Sequence, residues 1–204
     1  MGWQANIEYF KDYVIKTPKT EPEIRETITK YLNSVGKIEE LNKRVTDMQV
    51  GWSEGLKIIS KVKIPLKMLG YPEFLKEGKI KQRRVCVLEQ VWNDLVENKK
   101  TDEMKKLVDK TLKFVIELWK YGIHEKTGKI GYEFGLMGKN IILIDFGEIC
   151  NDKNIAEKQI TKKYWEKSIN KHCRKEVSDY FNMKAMNVLT IDNLNKNWNI
   201  KINR

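Results

Sequence analysis

Long hydrophobic runs are missing from this 204-residue chain; its uninterrupted apolar stretches last only a few residues. Segments that short cannot cross a bilayer, and no secretory leader is read, so a cytoplasmic protein without membrane association is expected. Cysteine is scarce as well. Cys86, Cys150 and Cys173 are odd in number, widely spaced and in no C-x-x-C arrangement, which argues against a disulfide framework and against a zinc site. Nor is there an arginine-rich arm or a basic stretch interleaved with aromatic residues. The 39 basic residues against 28 acidic give +11, enough to attract phosphate-rich partners, but the lysines are spread over what read as helix faces. A solvated lysine-rich surface is the plainer reading, and a basic nucleic-acid-binding protein is kept as an alternative. With 41% hydrophobic residues the chain is not disordered, and its length suits one domain or one two-lobed unit.

The sharpest feature present is Asn140-Ile141-Ile142-Leu143-Ile144-Asp145-Phe146-Gly147-Glu148. Four branched apolar residues behind Gly138-Lys139 predict a short buried strand, and the run stops on an acid. A carboxylate at the end of a buried strand needs a cation, a metal or several donors to hold its charge. The plain alternative is a strand followed by an Asp-Phe-Gly turn.

Upstream, Asn6 to Lys16 splits into two β-prone pieces around Lys11-Asp12, predicting a hairpin whose second strand ends in Tyr13-Val14-Ile15-Lys16. Thr20 and Glu23 stand at capping-box spacing with Pro22 in the first turn, so a helix starts there; Ile24, Ile28, Tyr31 and Leu32 form its stripe, and Gly36 ends it. A second helix from Ile38 to Ser60 is expected to be interrupted near Gly51. Val85 to Leu88 reads as a strand leading into Glu89-Gln90-Val91. Thr101 to Trp119 is the clearest helix, with Met104, Val108, Leu112, Val115 and Trp119 on one face and Gly122 closing it. A loop, Tyr121 to Gly135, joins it to the strand that carries Asp145. Beyond Glu148, the stripe from Ile160 to Phe181 predicts one or two helices, and the asparagine-rich end from Asn187 a short helix or an extended tail.

Leu143-Ile144-Asp145-Phe146-Gly147 resembles the D-F-G segment of protein-kinase-like phosphotransferases, and Tyr13-Val14-Ile15-Lys16 is similar to their V-A-I-K strand. The order of lysine strand, glutamate helix, hinge-like strand, long helix, loop and D-F-G matches from roughly Tyr13 to Ile149. The resemblance implies an α+β, two-lobed protein-kinase-like fold: residues 1–92 as an N-lobe with a reduced antiparallel sheet, and 93–204 as a mainly helical C-lobe. It implies ATP and magnesium as cofactors and an unidentified hydroxyl acceptor, on a protein or a small molecule. Lys16 would meet the phosphates and pair with a helix glutamate, Glu26 in preference to Glu23, which has the capping role. Glu89 and Val91 would offer hinge groups to adenine.

Asp145 and Glu133 would bind magnesium, and Glu125 would be the base. Glu125 and Glu133 replace the Asp and Asn of the family's catalytic loop, a glycine-rich phosphate loop is not found ahead of Lys16, and no A-P-E segment follows Glu148. Those departures leave a pseudokinase, a binding module on the same fold, as the first alternative, and the missing glycine loop is open to three readings: a degenerate fold, a different phosphate cover or a truncated reading frame.

Overall fold

The computed structural model describes residues 3–199. The chain begins with β1 (Ala5–Tyr9) and β2 (Tyr13–Pro18), the hairpin predicted around Lys11-Asp12, and continues into α1 (Glu21–Val35) and α2 (Leu41–Lys61). Short strands β3 (Glu73–Phe74) and β4 (Ile80–Arg83) complete a four-stranded antiparallel sheet of order β1-β2-β4-β3. Then come β5 (Cys86–Val87), α3 (Leu88–Glu97), α4 (Thr101–Trp119) and β6 (His124–Glu125). A single turn, α5 (Ile130–Glu133), leads into the hairpin β7 (Phe134–Met137) and β8 (Asn140–Leu143). After β9 (Ile149–Cys150) the chain is helical: α6 (Lys153–Thr161), α7 (Tyr164–His172), α8 (Lys175–Val188) and α9 (Ile191–Asn197). The class is therefore α+β, with small antiparallel sheets and a larger helical share, and no helix among the described residues is long and apolar enough to cross a membrane.

The core is organised on α4, whose Met104, Val108, Leu112, Val115 and Trp119 are all buried, as their helical spacing requires. One continuous apolar cluster runs from Ala5 and Trp52 through α4 and β8 to Leu194 in α9. A smaller satellite, Ile24, Ile28, Leu32 and Val45, joins α1 to the outer half of α2. Within the sheet, Val14 lies opposite Gln82 and Lys16 opposite Ile80, and Val14, Gln82 and Ile80 are buried, so the alternation of β2 turns Lys16 to the covered face. Gln82 ties this sheet to the next, donating through Nε2 to the carbonyls of Leu69 at 2.7 Å and Leu143 at 3.0 Å.

Three expectations are corrected. α2 is continuous through Gly51, because the glycines on its face meet another backbone and leave the helix unbroken. The strand at Val85 to Leu88 shrinks to Cys86–Val87, and Glu89 and Val91 lie in the first turns of α3, since Leu88 and Trp92 supply a helical apolar face that buries completely. The Ile160 to Phe181 stripe is spread over three helices rather than one or two, broken at Lys163 with φ 49° and at the extended Cys173.

Candidate functional site

Two antiparallel ladders build the site. In the β7–β8 hairpin Phe134 faces Leu143, and one step further the N–H of Ile144 donates to the carbonyl of Glu133 at 2.9 Å. In the β6–β9 pair Glu125 faces Ile149, and one step further the N–H of Lys126 donates to the carbonyl of Glu148 at 2.9 Å. The segment from Lys126 to Glu133 and the segment from Ile144 to Glu148 are thus fastened to each other at both ends. Register alone places Glu133 beside the approach to Asp145, and Lys126 beside Glu148.

Asp145 turns the chain through its own side chain, Oδ1 accepting from the Gly147 N–H at 3.0 Å, a side-chain-closed turn of the kind that short acids make. Lys16 reaches this turn from β2, its ammonium donating to the Ile144 carbonyl. The residue keeps part of its surface exposed, yet the atoms packed round the ammonium desolvate it enough to lower its pKa, against the opposing pull of Asp145 and Glu133. Three residues singled out from three separate segments, Lys16, Glu133 and Asp145, are therefore neighbours.

Glu125, Glu133 and Glu148 are buried here as well, none more than 7% exposed. Burial raises the pKa of Glu133 well above the usual carboxylate range, and the charges of Asp145, Glu125 and Glu148 push it further. Burial likewise lifts Glu125 and Glu148 to about 7 each, with Asp145 adding to the shift on Glu148 and Thr127 opposing it on Glu125. Glu125 Oε1 accepts from the Thr127 N–H at 2.5 Å and from its hydroxyl, while Oε2 is buried with no hydrogen-bond partner among the described residues.

Glu125 and Glu148 face different spaces. Glu125 lines an enclosed cavity of about 20 Å³ with His124, Phe134 and Gln159. Glu148 lines an open cleft of about 720 Å³ between α2 and the 126–129 loop, together with Arg44, Glu54, Lys126 and Lys129.

Behind the loop lies a fixed polar chain. Trp119 Nε1, which can only donate, bonds His124 Nδ1 at 3.1 Å; His124 Nε2 meets Gln159 Oε1 at 3.0 Å, and Gln159 Nε2 donates to the Lys126 carbonyl. The imidazole is thereby the neutral Nε2–H tautomer, and burial holds its pKa down to about 4.

In front, α2 presents Gly51 and Gly55 to the turn. A Cβ on Gly55 would stand 1.7 Å from the Phe146 carbonyl oxygen, and one on Gly51 2.9 Å from that of Gly147. Gln4 closes the remaining side, its Nε2 lying 3.4 Å from the Gly147 carbonyl and its Oε1 buried without a partner among the described residues.

Other expected site residues lie elsewhere. Glu26 is exposed and pairs with Lys30 at 2.7 Å, and Glu23 accepts from the Thr20 N–H at 2.8 Å, so neither helix acid meets Lys16. The helix beside the turn is α2, the second after the lysine strand. Glu89 accepts from Asn93 at 2.7 Å within α3, with Val91 two residues on in the same helix. Glu148, Gln4, Gln159 and the glycine pair carried no periodic or motif signal for a site, except that glycines four apart share a helix face.

No protein-family model matches the chain, and neither a curated protein nor a solved structure matches it.

The donor set can be tested for magnesium. No group of three or more His, Cys, Asp or Glu side chains among the described residues is placed to hold a metal ion by itself. Magnesium in phosphate chemistry commonly takes only one or two carboxylates and completes its shell with phosphate oxygens and water. Asp145 and Glu133, mutually repelling and beside an ammonium, fit that lighter demand.

Proposed function

We propose that the chain is a divergent ATP-dependent phosphotransferase of protein-kinase-like fold, acting on a hydroxyl acceptor. The observation that carries this reading is the convergence of Lys16, from β2, with Glu133 and Asp145 at the exit of β8, the last two in segments that two ladders hold together. Convergence of this kind suits phosphoryl transfer, where the protein contributes mainly position and charge.

Lys16 would meet the phosphates of ATP, and Asp145 with Glu133 would hold magnesium, which when bound neutralises charge on the transferring group. Glu148 is the carboxyl open to an acceptor, because it lines the cleft while Glu125 faces the enclosed cavity. A pKa of about 7 suits Glu148 to accept the acceptor's hydroxyl proton near neutral pH as that oxygen bonds to the terminal phosphorus and ADP departs. Glu125, bonded to Thr127 N–H and hydroxyl, shapes the loop instead.

Thermal denaturation with magnesium-ATP tests the reading. Ligand at about a hundred times Kd adds roughly 2.7 kcal/mol, a rise of about 5–10 °C for a chain of this size. An unchanged Tm at millimolar magnesium-ATP overturns it. A second reading, a pseudokinase that binds nucleotide without turnover, is favoured by one observation: the helix acids leave Lys16 to the Ile144 carbonyl. Binding without release of ADP in the presence of candidate hydroxyl acceptors selects that reading.

A further inference from the structure

The basic residues are dispersed along the sequence, but the fold gathers some of them around exposed rings at the tip of the β1–β2 hairpin. Phe10 and Tyr13 stack there with centroids 4.5 Å apart and planes 13° from parallel. Tyr9, 68% exposed, lies beneath the Arg84 guanidinium at 5.7 Å, and the Lys81 ammonium stands 5.1 Å from the centre of the Tyr13 ring. Arg84 is fixed by the turn itself: its N–H donates to the Asp12 carbonyl at 3.0 Å and its Nη1 to the Phe10 carbonyl at 3.2 Å. Arg83 sits directly across the ladder from Tyr13, and Lys11 is at the apex.

Tyr9 and Phe10, left in water while Tyr13 is half-buried, forgo burial that the rest of the chain obtains, and such patches mark contact surfaces. The charge says which kind. Lys11, Arg83 and Arg84 make no ion pair among the described residues, and Glu73 is already held by Lys81 at 2.9 Å, leaving Glu8 and Asp12 as the opposing acids near the tip. Flat rings flanked by unpaired cations are what unpaired bases on a phosphate backbone require: the bases stack on the rings and the cations follow the phosphates. A duplex offers the phosphates but hides the base faces in its own stack.

We propose that the tip of the β1–β2 hairpin, with Phe10, Tyr13 and Arg83 on one face, Tyr9 and Arg84 on the other and Lys11 at the apex, is a binding platform for single-stranded nucleic acid. It rests on none of the residues proposed for phosphoryl transfer, so the two readings stand or fall separately.

Fluorescence anisotropy on the full chain decides it, using labelled oligouridine and oligothymidine of about 12 nucleotides, within the span of such platforms, and a duplex of the same length. One or both single strands should bind more tightly than the duplex, and the preferred strand shows whether the surface takes RNA, DNA or either. Tyr9→Ala and Phe10→Leu should each weaken single-strand binding, Tyr9→Ala by roughly 5- to 100-fold and Phe10→Leu by less, with duplex binding little changed. Arg84→Gln should lower the slope of log affinity against log salt by about 1. Circular dichroism and Tm show that each variant is folded, and Phe10→Leu keeps the side chain's bulk if Tyr9→Ala disturbs the hairpin. The proposal is overturned if neither single strand binds. It is equally overturned if the duplex binds as tightly as the single strands, or if folded ring variants keep the parent's affinity, since diffuse positive charge then accounts for everything.

Discussion

α1 and α2 follow one another, pack against each other and share the satellite cluster of Ile24, Ile28, Leu32 and Val45, but they relate to the site in opposite ways. α1 has every local sign of a helix: the Thr20 and Glu23 capping pair, an apolar stripe, and Gly36 in the left-handed conformation at its end. Its acids are used within itself, at its own start and, through Glu23, on Asn6 of β1, and nothing on it meets Lys16. α2 carries two glycines that weaken it as an isolated helix, and those glycines are where the Phe146-Gly147 backbone lies. Good local signals mark where a helix forms, whereas residues that are poor for a helix mark where another backbone must come close.

The largest effect that sharpens this contrast is expected at Gly55. Alanine there places a methyl against the Phe146 carbonyl, a main-chain atom with no side chain to swing aside, and should cost about 3 kcal/mol or more in urea denaturation. Val50→Ala, on an exposed part of the same helix, should leave stability nearly unchanged. Equal effects of the two would show that α2 has no special contact with the turn.

A smaller effect comes from pH, through the buried carboxyls at the site that α2 faces. The folded-state pKa values of Glu125, Glu133 and Glu148 are raised, so the stability they contribute is fully present below the unfolded value of 4.5 and is lost as pH rises through their folded values, about 7 for Glu125 and Glu148. His124 works the other way, its lowered value of about 4 withdrawing stability as pH falls below 6.5. Three carboxyls outweigh one imidazole. The metal-free protein should therefore lose on the order of 1–3 kcal/mol between pH 5 and pH 7.5, and Glu148→Gln should flatten the slope. A stability that rises steadily over that range contradicts the buried carboxylate cluster.

The smallest effect is expected on α1. Glu26→Gln removes an exposed i,i+4 pair with Lys30, so Tm and nucleotide binding should both stay at parental values. A loss of nucleotide binding in Glu26→Gln would instead bring α1 to the site and restore the pairing with Lys16 that the sequence suggests.

Legibility followed the range of the interaction. The β1–β2 hairpin, α1, α4 and the strand into Asp145 were readable because turn residues, caps and periodic apolar positions lie within a few residues of one another. The run from Val85 to Val91 was not, since a short apolar stretch suits a strand or the start of a helix equally, and burial of Leu88 and Trp92 decided for α3. At the site, Lys16, Glu133 and Asp145 were marked by their resemblance to a family motif, and the ladders bring them together. Glu148 and Gln4 have no comparable signal: their place depends on β9 pairing with β6 and on Gln4 reaching across 143 residues to Gly147. The aromatic and basic tip of the hairpin was likewise invisible while Arg83 and Tyr13 were separated along the chain.

Calorimetric titration of ATP, with and without magnesium, into the parent protein and Asp145→Asn tests most directly whether Asp145 serves a magnesium-nucleotide site. The parent should bind ATP in a magnesium-dependent manner. Asp145→Asn should remain folded, at a Tm equal to or above that of the metal-free parent because one buried repulsion with Glu133 is relieved, and should lose the magnesium-dependent binding. If Asp145→Asn unfolds and the parent never binds magnesium-ATP, Asp145 is a structural carboxylate held by the Gly147 N–H and Lys16, and the phosphotransferase reading is wrong at its centre.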